Sequence, residues 1–319
     1  MSQQVAPAQR RVLLLGPQID DGNVLGALDD LAVDGPLALV TAGWEERDGE
    51  DEELHESVRS RALNLGLFRR SEAVFRSDIE VRTVLHERYD RLRVLQNLYR
   101  LRLAGQLEAC RELLAADGQP ELYEPEIADA VAGVQHLDAH HLARVAALDS
   151  EIAERLDVTR RPSLQRHMDE LRGVLERAGA LLVAGGHVAI LLNRLRLFRV
   201  LDLAESLPIV AWSGGAMVMG QRIVLFHDSP PQGPGDAEVL SPGLGLVRGV
   251  LPLPSASQRL RLDDPARVAL FARRFAPDLC VCLDGGEQVS GFEGRDDWSV
   301  PEACRVLRPD GAVEAASLA

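Results

Sequence analysis

Three features of the sequence predict an α/β fold with a mostly parallel, doubly wound sheet and a large all-helical insertion. Short apolar runs alternate with helical segments, two of those runs end in glycine-rich turns, and one long central stretch carries only helical periodicity. Residues 1–45 and 180–319 are expected to build the α/β unit, and residues 46–179 the helical insertion.

Taken in order, Arg11 to Leu15 reads as a first buried strand closed by Gly16-Pro17, followed by a helix over Gly22 to Leu31. Pro36 to Val40 reads as a second strand. The run Trp44 to Glu53 is acidic and falls close to the sheet's carboxyl edge, where it could select a basic ligand; it fits better a solvated face or the first turn of a helix, where carboxylates complement the dipole. Beyond it, Val81, Leu85, Leu92, Leu95, Tyr99 and Leu103 recur at helical spacing in a segment dense in arginine and glutamate. Gly118-Gln119-Pro120 breaks that pattern, a second helix is expected from about Glu124 to Leu156, and a third ends at Gly179.

The sheet resumes at Ala180 to Ala184, whose end Gly185-Gly186-His187 leads into a helix over Val188 to Leu203. Pro208 opens the next strand, which stops at Trp212-Ser213-Gly214-Gly215. Arg222 to Phe226 follows, then His227-Asp228 and a loop rich in proline and glycine from Ser229 to Gly243. A helix from Asp264 to Ala276 has an aspartate cap and Pro265 in its first turn. Asp278 to Leu283 is expected as a further strand of the central sheet. Residues 304–313 read as a terminal hairpin turning at Pro309-Asp310-Gly311.

With 319 residues, of which 46% are hydrophobic and 26% charged, the chain can bury a full core. A net charge of -14 argues against a broad nucleic-acid surface or an anionic-membrane surface. No apolar run reaches the length of a transmembrane helix, and Met1-Ser2-Gln3-Gln4 does not open an export signal, so a cytoplasmic protein is expected. The four cysteines, Cys110, Cys280, Cys282 and Cys304, read as small core residues in a reducing compartment. The chain contains no lysine, which removes Schiff-base chemistry and the lysine of a phosphate-binding P-loop; no cofactor is expected. His136 and His140 share a helix face, but no third ligand stands in a recognisable pattern, so no metal site is assigned.

The chemistry concentrates at Ser213. A serine on a strand-to-helix turn requires small residues two positions away on each side, and Ala211 and Gly215 stand there. The N–H of Gly214, at the start of the following helix, is placed to stabilise an oxyanion. The alternative is a glycine-rich turn that happens to contain a serine. Gly185-Gly186 is not a dinucleotide fingerprint, but such a pair lets backbone approach a ligand and leaves N–H groups for an anion.

A Gly-Gly strand end, then Trp-Ser-Gly-Gly-Ala, then Asp228 after the next strand, then a strand ending Leu-Asp-Gly-Gly, together resemble the S51 serine peptidases. This is the aspartyl dipeptidase and cyanophycinase group, with the flavodoxin-type fold of class I glutamine amidotransferases. The resemblance covers about residues 11–45 and 180–314. It implies Ser213 as nucleophile, Asp228 as the acidic member, Gly185, Gly186 and Gly214 around the oxyanion, and Trp212 beside them. The family's catalytic histidine belongs to a segment resembling Gly249 to Leu260, and no histidine stands there. His187 and His227, the remaining imidazoles at strand ends, are the candidates for a base recruited from a different strand end.

Two functions follow. One is a serine hydrolase acting on small peptides or amides; the other is a catalytically silent relative that binds a ligand or partner through the helical insertion. The amphipathic arginine-rich helices lead us to expect a homo-oligomer.

Overall fold

A computed structural model of the chain describes residues 9–19, 22–59, 61–116, 118–230 and 235–316. It is an α/β protein with a mixed sheet. Twelve strands are described: β1 Arg11–Leu15, β2 Leu37–Val40, β3 Ala62–Asn64, β4 Ala180–Val183, β5 Ile209–Trp212, β6 Arg222–Leu225, β7 Glu238–Pro242, β8 Val250–Pro254, β9 Leu279–Leu283, β10 Gln288–Phe292, β11 Arg305–Leu307 and β12 Val313–Ala315.

The helices are α1 Val24–Asp30, α2 Glu52–Ser57, α3 Leu67–Ser77, α4 Ile79–Ala115, α5 Pro120–Leu156, α6 Pro162–Leu175, α7 Val188–Leu197, α8 Val200–Leu203, α9 Gly214–Met219, α10 Ala256–Arg259 and α11 Pro265–Phe275. Asp264 caps α11 by accepting the N–H of Arg267, with Pro265 next to it in the first turn. The terminal hairpin forms as β11 and β12.

The main sheet has the order β10-β1-β5-β4-β2-β3, with β10 antiparallel and the other five strands parallel. The apolar runs of β1, β2, β4 and β5 account for this: all four strands are almost wholly buried because helices cover both faces. A flavodoxin-type sheet has strand order 2-1-3-4-5, and here the first strand of the chain occupies the far position next to β5. The chain runs outward from β2 to β3 and later returns to β4 on the other side of β2. Their carboxyl ends therefore form the topological switch point where such sheets hold ligands.

Three expectations are corrected. β9 is not in the main sheet; it pairs with β8 in a second sheet of order β12-β11-β9-β8, and β10 takes the edge of the main sheet. The stretch 46–179 is not wholly helical, because β3 pairs with β2 and belongs to the main sheet. The segment Ser229 to Gly243 is not all loop, since β7 lies in it and pairs with β6; residues 231–234 lie outside the described residues.

The acidic run divides. Glu52 and Glu53 fill the first turn of α2, but Asp48 is fully buried. It accepts the hydroxyl of Thr41 at 2.7 Å and the Phe68 N–H at 3.2 Å. A carboxylate aimed at the first turn of α3 is stabilised there by the helix dipole.

α4 and α5 form an antiparallel hairpin with a shared core of Tyr99, Leu103, Leu107, Val131, Val134 and Ile152. A buried polar cluster ties it to the α/β frame. Arg274 of α11 donates to both oxygens of Asp138 at 2.8 and 2.9 Å and to the Tyr99 hydroxyl at 2.7 Å, and that hydroxyl also accepts the Val239 N–H. Each charge is matched in the interior, where an unpaired one would cost several kcal/mol. The four cysteines are free and buried; burial pushes the Cys282 thiol up to about 12. Among the described residues no helix is long and apolar enough to cross a membrane.

Candidate functional site

Ser213 follows β5 directly and precedes α9, with φ 52° and ψ −126°. A non-glycine residue in that region is strained, and the strain is held by its neighbours. A Cβ on Gly185 would lie 2.7 Å from the Ser213 Cβ, so only glycine leaves room for the serine. A Cβ on Gly215 would overlap the carbonyl of Val183. The strand-to-helix turn and its demand for small neighbours thus take the form that the sequence implied. Ser213 is half-buried, and its hydroxyl makes no hydrogen bond among the described residues.

The glycine turn after β4 meets the chain after β2 across the switch point and the Ser213 turn on its other side. His187 N–H donates to the carbonyl of Gly43 at 2.6 Å, which joins the end of β4 to the end of β2. Gly186 has φ +106°, and a Cβ there would overlap Gly43. A Cβ on Gly214 would lie 2.9 Å from the Gly186 carbonyl and 3.4 Å from its nitrogen, so these backbones face each other. Gly185, Gly186, Ser213 and Gly214 form one cluster, whose N–H groups can bind a carbonyl oxygen or carboxylate. Trp212, which the resemblance places beside these glycines, is a core residue. It is 5% exposed and packs with Leu13, Leu15 and Val210.

The ionisable candidates are engaged elsewhere. Asp228 accepts Arg267 Nη2 at 2.6 Å and the N–H of Arg261 at 2.7 Å, so both carboxylate oxygens are bonded. His187 caps α7: its Nδ1 accepts the N–H of Ile190 at 3.3 Å. His227 Nδ1 accepts the N–H of Ser229 at 3.2 Å. An imidazole whose Nδ1 accepts is, when neutral, protonated on Nε2, and Nε2 is then a donor rather than a base. Neither ring is hydrogen-bonded to Ser213. His136 and His140 are exposed on α5, and among the described residues no three metal-ligating side chains gather.

Two residues near the sheet ends carry strained backbone that their sequence segments, the acidic run and the stretch Gly249 to Leu260, did not mark. Glu45, two positions after Gly43, has φ 59° and ψ −124°, nearly the conformation of Ser213, and its side chain is half-buried. Ser255 follows β8 in the left-handed region at φ 57° and donates its N–H to the Leu283 carbonyl. A positive φ at a non-glycine residue leaves no mark in composition or periodicity, so the conformation of neither residue could be read from those stretches.

No family model and no curated protein matches the chain. Among solved structures it is similar to a peptidase from an acI-B1 Actinobacterium, at 12% identity and a TM-score of 0.45, over 95% of this chain and 92% of that one.

Proposed function

We propose that this protein is a serine-hydrolase-like relative of the S51 peptidases, of the class I glutamine amidotransferase-like, flavodoxin-type group. In this reading it retains the nucleophile elbow and binds small peptides or amides with little or no turnover. The observation that carries the reading is the strained Ser213 packed against Gly185, with Gly186 and Gly214 face to face beside it. A serine hydroxyl is a weak nucleophile unless a base takes its proton. Here both strand-end imidazoles use Nδ1 to accept backbone N–H groups, and Asp228 is held by Arg267. That favours binding over hydrolysis.

The test is hydrolysis of aspartyl dipeptides and other short peptides by the purified protein beside its Ser213→Ala variant, with fluorophosphonate labelling followed by mapping of the modified residue. Equal rates and slow labelling are expected. Robust turnover abolished by Ser213→Ala, and also by His187→Ala or His227→Ala, would overturn the reading and identify the base.

A further inference from the structure

A groove of about 840 Å³ runs between α4, α5 and α7, and His187, the residue after the Gly185-Gly186 turn, is among the residues that line it. Leu85 and Tyr89 of α4, Ile152 and Ala153 of α5, and Ile190 and Leu197 of α7 give it apolar walls. Its volume lies in the range of sites that enclose a small organic molecule, roughly 300–1,000 Å³.

The charge of this groove is opposite to that of the chain. The protein as a whole carries a net charge of -14, yet the groove is lined by Arg82, Arg88, Arg194 and Arg196 against the single carboxylate of Asp149. Arg88 and Arg196 share that carboxylate, at 2.7 and 2.8 Å, and their other bonds go to neutral acceptors: Asn193 Oδ1 and the carbonyls of Pro242 and Gly243.

Arg194 is less well supplied. It lies over the rings of Phe68 and Phe75 at 5.5 and 5.0 Å, its closest carboxylate is Glu72 at 3.7 Å, and its buried Nε has no acceptor. Burial pulls its pKa down, with Glu72 and Glu45 opposing. Arg82 is exposed and makes no ion pair among the described residues. A desolvated guanidinium short of acceptors favours an added anion, and a local positive field in an acidic protein attracts one.

We propose that this groove binds one amphipathic organic anion, an aliphatic or aromatic body carrying a single carboxylate. The body lies along Leu85, Ile152 and Ile190, and the carboxylate is held by Arg194. The binding needs no reaction at Ser213, so it stands or falls separately from the hydrolase-like reading.

Calorimetric titration of the full chain with decanoate and with 2-naphthoate tests it, with acetate and the corresponding neutral amides as controls. One-to-one binding of at least one of the two acids is expected, with acetate and the neutral amides weaker by about tenfold or more. The tighter of the two acids identifies an aliphatic or an aromatic source. Ala153→Trp, which fills the groove from an exposed position, and Arg82→Glu, which reverses an exposed charge, should each weaken binding by about tenfold at unchanged thermal stability. Neutral amides binding as tightly as the acids, Ala153→Trp without effect, or no binding of either acid at millimolar concentration would each overturn the proposal.

Discussion

The carboxylate of Asp228 is held by Arg267, whose Nη2 lies 2.6 Å from Oδ1, while the N–H of Arg261 donates to Oδ2 at 2.7 Å. The pair is largely buried, with side-chain exposures of 22% for Arg267 and 10% for Asp228. Asp228→Asn removes the charge and leaves Arg267 under-compensated, so we expect a loss of about 2–3 kcal/mol of stability. Urea unfolding of the variant measures this. A variant as stable as the parent would show that Asp228 is held for another purpose.

The glycines of the elbow should differ sharply from those of the helices. Gly215→Ala drives a Cβ into the Val183 carbonyl, which is backbone and cannot swing away. We expect a cost of about 3 kcal/mol or failure to fold. Gly26 in α1 and Gly105 in α4 are exposed and have nothing within 4 Å of an added Cβ. Gly26→Ala and Gly105→Ala should each raise stability by about 0.5–1 kcal/mol, read as an increase in Tm.

Stability should fall between about pH 7 and pH 5. His141 is 4% exposed and stacked on Tyr99 with ring centroids 4.4 Å apart. Burial lowers its pKa below the ordinary imidazole value, against smaller opposing effects of the Leu240 carbonyl and Asp138. As pH drops through about 6.5 the unfolded imidazole takes up a proton that the folded ring resists, so the unfolded state gains protons first and stability is lost. Burial and Arg70 shift His167 in the same direction. His141→Phe keeps the stack and should flatten the dependence of Tm on pH across this window. An unchanged slope would assign it to other groups.

The outer face of α4 bears on assembly. Val94, Leu98 and Leu101 are 58%, 55% and 77% exposed and follow one helix face at i, i+4 and i+7. Homo-oligomerisation over this stripe should appear as a multiple of the chain mass in light scattering at micromolar concentration, reduced to the single mass by Leu98→Asp with Leu101→Asp. A single mass for the unsubstituted chain would exclude it.

Local features were legible where one stretch of residues fully states its own requirement. Pro208 to Gly220 spells a buried strand, a turn that tolerates only small neighbours and a helix start, and β5, Ser213 and α9 follow in that order. The long helices α4 and α5 were visible from helical periodicity, and the break between them at Gly118-Gln119-Pro120 from the residues that cannot continue a helix, but their pairing as a hairpin was not. β3 was missed because three residues are too few for alternation to register. Asp48 was missed because a buried capping carboxylate and a solvated one look alike within an acidic run.

By itself, then, the sequence determined the alternation of strands and helices, the long helical stretch and the turn at Ser213, because each depends on residues close together in the chain. The tertiary structure alone decided that β1 lies beside β5, that β9 pairs with β8, and that Asp228 meets Arg267 of α11. It also decided that two arginines of α4 and two of α7 gather along one groove. Such relationships depend on pairing and packing between distant segments, where many partners satisfy the same local pattern and only the closure of the whole core selects one.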